Sequence, residues 1–303
     1  MTKTVLVVGS LNMDMVVRAA RHPQAGETIL GTAFNTYPGG KGANQAVAAA
    51  RLGADVAMIG KVGSDAFGSE LAQIASDEGI NTDWISCEPN QSSGVALITV
   101  SESGQNTIVV VPGANAYLTP TDLDSAQSAF EEAALLVMQL ESPLETIQHA
   151  AELAQRNNIP VLLNPAPAQP MPLELLRQVD ILIPNQHELL LISGKAEVDS
   201  AIDTLLGLGV KQLLVTLGEE GVLLVSHNQK LHIPAFRVTA IDTVAAGDAF
   251  VGALAVGLTR GLSLQDAAQF ASAAAAISVT RSGAQPSLPT QIEVENFLKE
   301  HLQ

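Results

Sequence analysis

Apolar and polar positions along this chain follow two rhythms. Short runs rich in Val, Leu and Ile at Val5–Val8, Val56–Ile59, 135–139, 160–163, 180–183, 212–216 and 221–225 predict buried strands. Helical spacing of apolar residues appears between them, over Ala43–Leu52, Phe67–Glu78, 121–133, 144–156, 199–207, 247–258, 264–279 and 290–301. Gly53 and Gly79 stand where the first two of these helices should stop. Strands alternating with helices predict an α/β fold, a doubly wound and mostly parallel sheet with both faces covered. No repeat or low-complexity tract divides the chain, so one domain is expected over residues 1–303.

Two regions break the rhythm. Residues 14–38 hold the strand-like stretches Met15–Ala19 and Thr28–Thr36, parted by the turn His22-Pro23-Gln24-Ala25-Gly26. Residues 93–111 hold Gly94–Val100, the turn Glu102-Ser103-Gly104-Gln105 and Asn106–Val111, the pattern of a β-hairpin. Neither contains a helix. Together they predict a small separate antiparallel sheet, a lid or a dimer surface, with an extension of the main sheet as the alternative.

Composition narrows the class. With 47% hydrophobic and 15% charged residues, the 303-residue chain has ample material for a core and is not disordered. Fifteen Lys and Arg against 31 Asp and Glu leave a net charge of −16, which repels nucleic acid and anionic membrane surfaces. The lone Cys87 excludes an internal disulfide and fits a reducing, cytoplasmic setting. The start Met1-Thr2-Lys3-Thr4 leads into a strand with no cleavage pattern after it. Ala267–Val279, the best membrane candidate, is interrupted by Gln269, Ser272 and Ser278 and predicts a buried helix.

Candidate chemistry gathers after the strands. In Asp242-Thr243-Val244-Ala245-Ala246-Gly247-Asp248 small residues open an apolar helix. A helix start presents free N–H groups to an anion, and a carboxylate there can take a proton from a hydroxyl. Helix capping by Asp248 is an equal alternative. Pro38-Gly39-Gly40-Lys41-Gly42-Ala43-Asn44 is a glycine loop opening a helix. Gly42 after Lys41 excludes a Walker A loop, and Gly9–Asp14 does not satisfy G-x-G-x-x-G. Lys41, Asn44, Asn12 and Asp14 offer partners for hydroxyls, although each alone is more often turn chemistry. Glu141 ends a strand and lands on the same sheet edge. Asn185 and Glu188 can steer a hydrated Mg²⁺. The glycines of Thr216–Gly221 can free N–H groups for a nucleotide phosphate, with a plain turn at even odds. Cys87 and six scattered His, His187 among them, show no zinc spacing.

Taken in order, GSLNMD (9–14), GGKGANQAVAAARLG (39–53), MQLE (138–141), NPAPA (164–168), NQHE (185–188), TLGEEG (216–221), DTVAAGDAF (242–250) and TRSGAQPS (280–287) resemble the ribokinase family of carbohydrate kinases over essentially the whole chain. The resemblance implies that family's Rossmann-like α/β fold, with the β-rich regions as a lid that also clasps a homodimer. It implies ATP-dependent phosphorylation of D-ribose at O5. A kinase of deoxyribose, fructose or a nucleoside, and a non-catalytic sugar-binding regulator, are the alternatives. Asn12, Asp14, Gly39, Gly40, Lys41, Asn44 and Glu141 would hold the sugar, with Asp248 as base. Ala245, Ala246 and Gly247 would form the anion hole. Asn185 and Glu188 would serve Mg²⁺ and the phosphates. Thr216, Leu217, Gly218, Glu219, Glu220 and Gly221 would line the ATP site, with Ser272 near the adenine edge. Asp242, Val244, Ser278, Arg281, Gly283 and Ser287 would surround K⁺, largely through carbonyls. Two positions depart from the family's pattern: Ala245 stands where the wider family has Gly, and Ser272 where relatives often have Asn or His.

Overall fold

The computed structural model describes residues 4–301. Residues 1–3 and 302–303, at the ends of the expected domain, lie outside them. The first half of the chain forms β1 (Thr4–Val8), β2 (Asn12–Ala19), β3 (Gly31–Gly39), α1 (Lys41–Arg51), β4 (Val56–Gly63), α2 (Ala66–Asp77), β5 (Asn81–Glu88), β6 (Gly94–Ser101) and β7 (Asn106–Val111). There follow α3 (Pro120–Ser125), α4 (Gln127–Glu132), β8 (Ala133–Met138), α5 (Leu144–Arg156), β9 (Val161–Leu163), α6 (Leu173–Gln178), β10 (Ile181–Leu182), α7 (Gln186–Ser193) and α8 (Val198–Leu208). The chain then adds β11 (Gln212–Thr216), β12 (Val222–Ser226), β13 (Gln229–Ile233), α9 (Ala246–Thr259), α10 (Leu264–Ser278) and α11 (Gln291–His301).

Nine strands make the main sheet in the order β13-β12-β11-β10-β9-β8-β1-β4-β5. From β5 to β11 all neighbours are parallel, and β12 and β13 close the far edge as antiparallel strands. The apolar run of β1 is buried on both sides. Val5 and Val7 enter one core with residues of α1, α2, α9, α10 and α11. Leu6 and Val8 enter the other with residues of α3 to α8. The chain winds from β1 outward through β4 in one direction and through β8 in the other. The reversal point therefore falls between β1 and β8, where open α/β sheets form a ligand crevice at the strands' carboxyl ends.

The expected separate lid is present as a second sheet, ordered β3-β2-β6-β7. It is not wholly antiparallel. The hairpin pairs β2–β3 and β6–β7 are antiparallel, but β2 and β6 run parallel from the Asn12–Gly94 pair outward. Each hairpin leaves the core on its first strand, so the two first strands run side by side. The expected helix 121–133 is broken into α3 and α4 at Ala126, and β5, β13, α6 and α7 appear where no element was expected. Among the described residues no helix is long and apolar enough to cross a membrane.

Candidate active site

Asp248 lies in the first turn of α9 and is buried, but it does not cap that helix. Its carboxylate is gripped from α1. Asn44 Nδ2 donates to Oδ2 at 2.9 Å and Gln45 Nε2 donates to Oδ1 at 3.0 Å. The two helices approach closely because their facing residues are small. A Cβ on Gly252, one turn beyond Asp248, would lie 2.5 Å from Ala48 Cβ and 2.7 Å from the Gln45 carbonyl oxygen. Ala245, before the first turn, has φ +60, the left-handed conformation that disfavours a Cβ by about 1–2 kcal/mol. The backbone geometry that Gly serves elsewhere is thus kept here by an alanine.

The glycine loop folds onto β2. Gly40 (φ +87) is the residue before α1, and a Cβ there would stand 2.7 Å from Asn12 N; one on Gly39 would stand 2.4 Å from Asp14 Oδ2. Glu141 ties the ends of β1, β8 and α1 together: its Oε2 accepts from Ser10 Oγ at 2.5 Å and from Lys41 N at 3.0 Å. Asn12 Oδ1 accepts from Asn115 Nδ2 at 2.8 Å. A cavity of about 820 Å³ collects Asn12, Asp14, Gly40, Lys41, Asn44, Glu141 and Asp248 beneath the lid residues Ile98, Ile108 and Val110. Burial, reinforced by the carboxylates of Glu141 and Asp248, pushes the Asp14 carboxyl up to about 7 against the pull of Lys41. Burial also draws the Lys41 ammonium down, but Asp248, Glu141, Glu188 and Asp14 outweigh it and hold its pKa above the ordinary value. Lys41 is therefore a fixed positive charge among acidic groups.

The segments expected on the nucleotide side meet at neighbouring strand ends, where Asn185 pairs with Thr216. Asn185 and Glu188 form a reciprocal cap of α7: Glu188 N donates to Asn185 Oδ1 and Asn185 N to Glu188 Oε2, each at 2.8 Å. Glu188 Oε1 is not part of this cap, so a cation can be held through water by that one oxygen. Burial raises the Glu188 pKa, opposed by the Asn185 N–H and by Lys41. In the 216–221 turn the N–H groups of Leu217, Glu220 and Gly221 bond within the turn itself. For those three the plain-turn alternative holds. Ser272 is buried in α10 with its hydroxyl donated to Ala268 O at 2.9 Å.

Asp242 joins the two segments expected around K⁺. Its Oδ1 accepts from Val244 N at 3.0 Å and its Oδ2 from Gly283 N at 2.9 Å. Ser278 and Ser287 are fully buried, with their hydroxyls donated to Ala275 O and Ala284 O. The Arg281 guanidinium pairs with Glu293 on α11, so what Arg281 can turn to a cation is its carbonyl. A carboxylate and backbone carbonyls would be an all-oxygen donor set of the kind that suits a hard cation; both Asp242 oxygens and the Ser278 carbonyl already accept backbone N–H groups. Asp242, Val244, Ala245 and Gly283 line the same cavity as Asp248. Sequence reasoning assigned no role to Ser10, Gln45, Asn115, Gln139 or Asn164. All are polar residues packed around the site. Ser10, Gln45, Gln139 and Asn164 stand inside quoted motifs, and for the last three the readable signal was an uncharged amide beside apolar neighbours.

A cavity lined by carboxylates, amides and a lysine at the reversal point of an α/β sheet, with a buried carboxylate at a helix start, is the arrangement of a small-molecule kinase. The chain matches the pfkB family of carbohydrate kinases over residues 2–291 and belongs to it. Within that family it is 41% identical over 296 residues to the ribokinase of Bacillus subtilis (strain 168), covering 98% of this chain and 99% of that protein. It is 39% identical over 300 residues to the deoxyribokinase of Salmonella typhi, covering 97% and 98%. The structure of Arabidopsis thaliana ribokinase complexed with ribose and ATP matches with a TM-score of 0.93 at 34% identity, covering 99% of each chain.

Proposed function

We propose that this chain transfers the γ-phosphoryl group of ATP to O5 of D-ribose, giving D-ribose 5-phosphate and ADP. The observation that carries the reading is Asp248. Its carboxylate is buried, held through both oxygens, and opens into the cavity that Asn12, Asp14, Lys41 and Glu141 line. Those side chains bind the ribose hydroxyls and aim O5 at Asp248. Asp248 takes the O5 proton as the oxygen attacks phosphorus, and ADP leaves in line. Charge on the transferring group is met by the N–H groups of Ala245, Ala246 and Gly247 at the start of α9; the Ala246 N–H bonds Thr243 O at 3.3 Å and would have to leave it to take part. Glu188, through the oxygen outside the cap, and the neighbouring Asn185 would hold Mg²⁺ through water, and the ion would supply neutralisation of the phosphate charge. The 242–244 and 278–287 segments would hold K⁺ through carbonyl oxygens, supplying positive charge beside the start of α9. Thr216 to Gly221 and Ser272 line the nucleotide's path. The lid excludes water and joins two copies into a homodimer. The single Cys87 fits a cytoplasmic enzyme.

The test is ADP release over a panel of pentoses, hexoses and nucleosides, with and without K⁺. Ribose should give the highest kcat/KM. Asp248→Asn should lower kcat by about 10²–10⁴-fold, the usual worth of a positioned base. A near wild-type rate in that variant refutes the base, and equal rates without K⁺ refute the cation loop. A preference for 2-deoxyribose is the second reading, favoured by the Salmonella relative, and the same panel separates the two.

A further inference from the structure

We propose that Gln45 is a positioning residue for phosphoryl transfer, the middle member of a directional chain of amides that fixes the orientation of the Asp248 carboxylate. The inference rests on the reading of Asp248 as the base. Gln45 and Gln139 are each 1% exposed. Asn164 Nδ2 donates to the backbone carbonyl of Ile183 at 2.9 Å. Gln45 Nε2 donates to Asn164 Oδ1 at 3.2 Å and to Asp248 Oδ1 at 3.0 Å. Gln139 Nε2 donates to Gln45 Oε1 at 2.6 Å.

The direction of this chain follows from its two ends. A backbone carbonyl only accepts, so Asn164 must turn its NH₂ to Ile183 and its oxygen to Gln45. The Asp248 carboxylate, read as the base, also only accepts. Gln45 therefore faces two acceptors and must turn its NH₂ to both. Its own oxygen then faces away, and Gln139 must meet it with NH₂. No member can flip alone without setting acceptor against acceptor. The cost of this order falls on Gln139, whose buried Oε1 has no partner and points at Gly9. A Cβ on Gly9 would stand 2.2 Å from that oxygen. A buried unpartnered oxygen costs about 1–3 kcal/mol, so the orientation of Gln139 is set by what its NH₂ must meet, the Gln45 oxygen. The strand-end glycine and the unpartnered oxygen are both explained if the purpose is to present Gln45 Nε2 to Asp248.

Asn44 cannot do this work by itself. It grips the other carboxylate oxygen, but it also belongs to the set that holds the sugar, and its buried Oδ1 has no partner within the protein. A sugar hydroxyl donating to that oxygen would draw on Asn44. Gln45 is 1% exposed and is not among the residues lining the cavity, so a sugar in the cavity has no direct claim on its bond to Asp248. The terminal torsion of a carboxylate is broad, so a fixed donor is what sets its plane.

The test is the kinetics of Gln45→Met, Gln139→Met and the double variant, with thermal melts to confirm folding. Gln45→Met should lower kcat about tenfold to a hundredfold, as a misplaced reacting group does, with the sugar KM within about threefold of wild type. Gln139→Met should lower kcat less. The double variant should match Gln45→Met, because Gln139 acts only through Gln45. Wild-type kcat in Gln45→Met, a loss confined to KM, or multiplied losses in the double variant overturns the proposal. Should Gln45→Met fail to fold, Gln139→Met and Asn164→Ala take its place, each expected to lower kcat at constant KM, and wild-type kcat in both overturns it. A wild-type protein inactive on the whole sugar panel refutes the kinase reading alone. Crystal structures of the same variants then decide: a rotated Asp248 carboxylate supports the chain, and an unmoved one refutes it.

Discussion

At the scale of single residues, the site is a set of acidic groups held around one lysine. Asp14 shows what that arrangement costs the fold. Its carboxyl sits at about 7 in the folded protein, raised by burial first and by Glu141 and Asp248 second, against 3.8 for the free side chain. Between those values the folded chain holds a proton that the unfolded chain has released. Stability from this group is intact below about pH 4 and is lost as pH rises through 7. Asp14→Asn removes the penalty and, on the proposed function, a sugar ligand together. Its melting temperature should gain on wild type as pH goes from 5 to 8, while ribose binding measured by calorimetry disappears. A melting difference independent of pH would contradict the assigned shift. Asp14, Lys41, Glu141 and Asp248 were legible in the sequence by their places after strands and at helix starts, but each alone also reads as turn or capping chemistry, and only the ordered set of motifs gave them roles. Gln45 and Gln139 were not, because a neutral amide declares its partner only once the elements are packed. Asn185 and Glu188 were legible as a motif, but their spacing also satisfies a capping box, which became visible with α7.

At the scale of elements, the proposed mechanism makes catalysis depend on how near α1 comes to α9. Asn44 and Gln45 reach Asp248 across a contact made of alanines and Gly252. Gly252→Ala would place a methyl 2.5 Å from Ala48 Cβ and 2.7 Å from the Gln45 carbonyl. The helices must part by several tenths of an ångström. Such overpacking costs about 1–3 kcal/mol, and kcat should fall more than sugar affinity does. Gly207→Ala, on α8 with open space around its Cβ, is the control and should leave kcat unchanged. Wild-type kcat and melting temperature in Gly252→Ala would show that the helix contact has slack. The main strands and helices were readable because each carries its own period. β5 was not, since Asn81-Thr82-Asp83-Trp84 at its start reads as polar loop and becomes a strand only beside β4. Nor was the parallel β2–β6 pair, which joins hairpins some 80 residues apart and leaves no local sign.

At the scale of the whole molecule, the net charge of −16 and the lid pull in opposite directions. The lid is apolar on both faces. Ile108 and Val110 roof the cavity, whereas Val109 and Leu97, paired across β7 and β6, alternate to the other face and are 62% and 47% exposed. Phe34 on β3 is 57% exposed. A cluster of this kind marks an interaction surface rather than scattered surface residues. The occupant consistent with the proposed function is the lid of a second copy. Two such copies together carry twice the acidic charge, so their long-range repulsion opposes association, and screening relieves it. Light scattering at micromolar concentration should therefore report a dimer whose dissociation constant falls as salt rises from low to physiological strength. An interface built on ion pairs would weaken instead. Val109→Glu adds charge to the apolar face without touching the cavity, and it should yield a monomer that retains ribose turnover at a raised sugar KM, because the lid has lost its support. A wild-type monomer under these conditions, or a Val109→Glu dimer, would remove the lid from the interface and leave its outer face without an occupant.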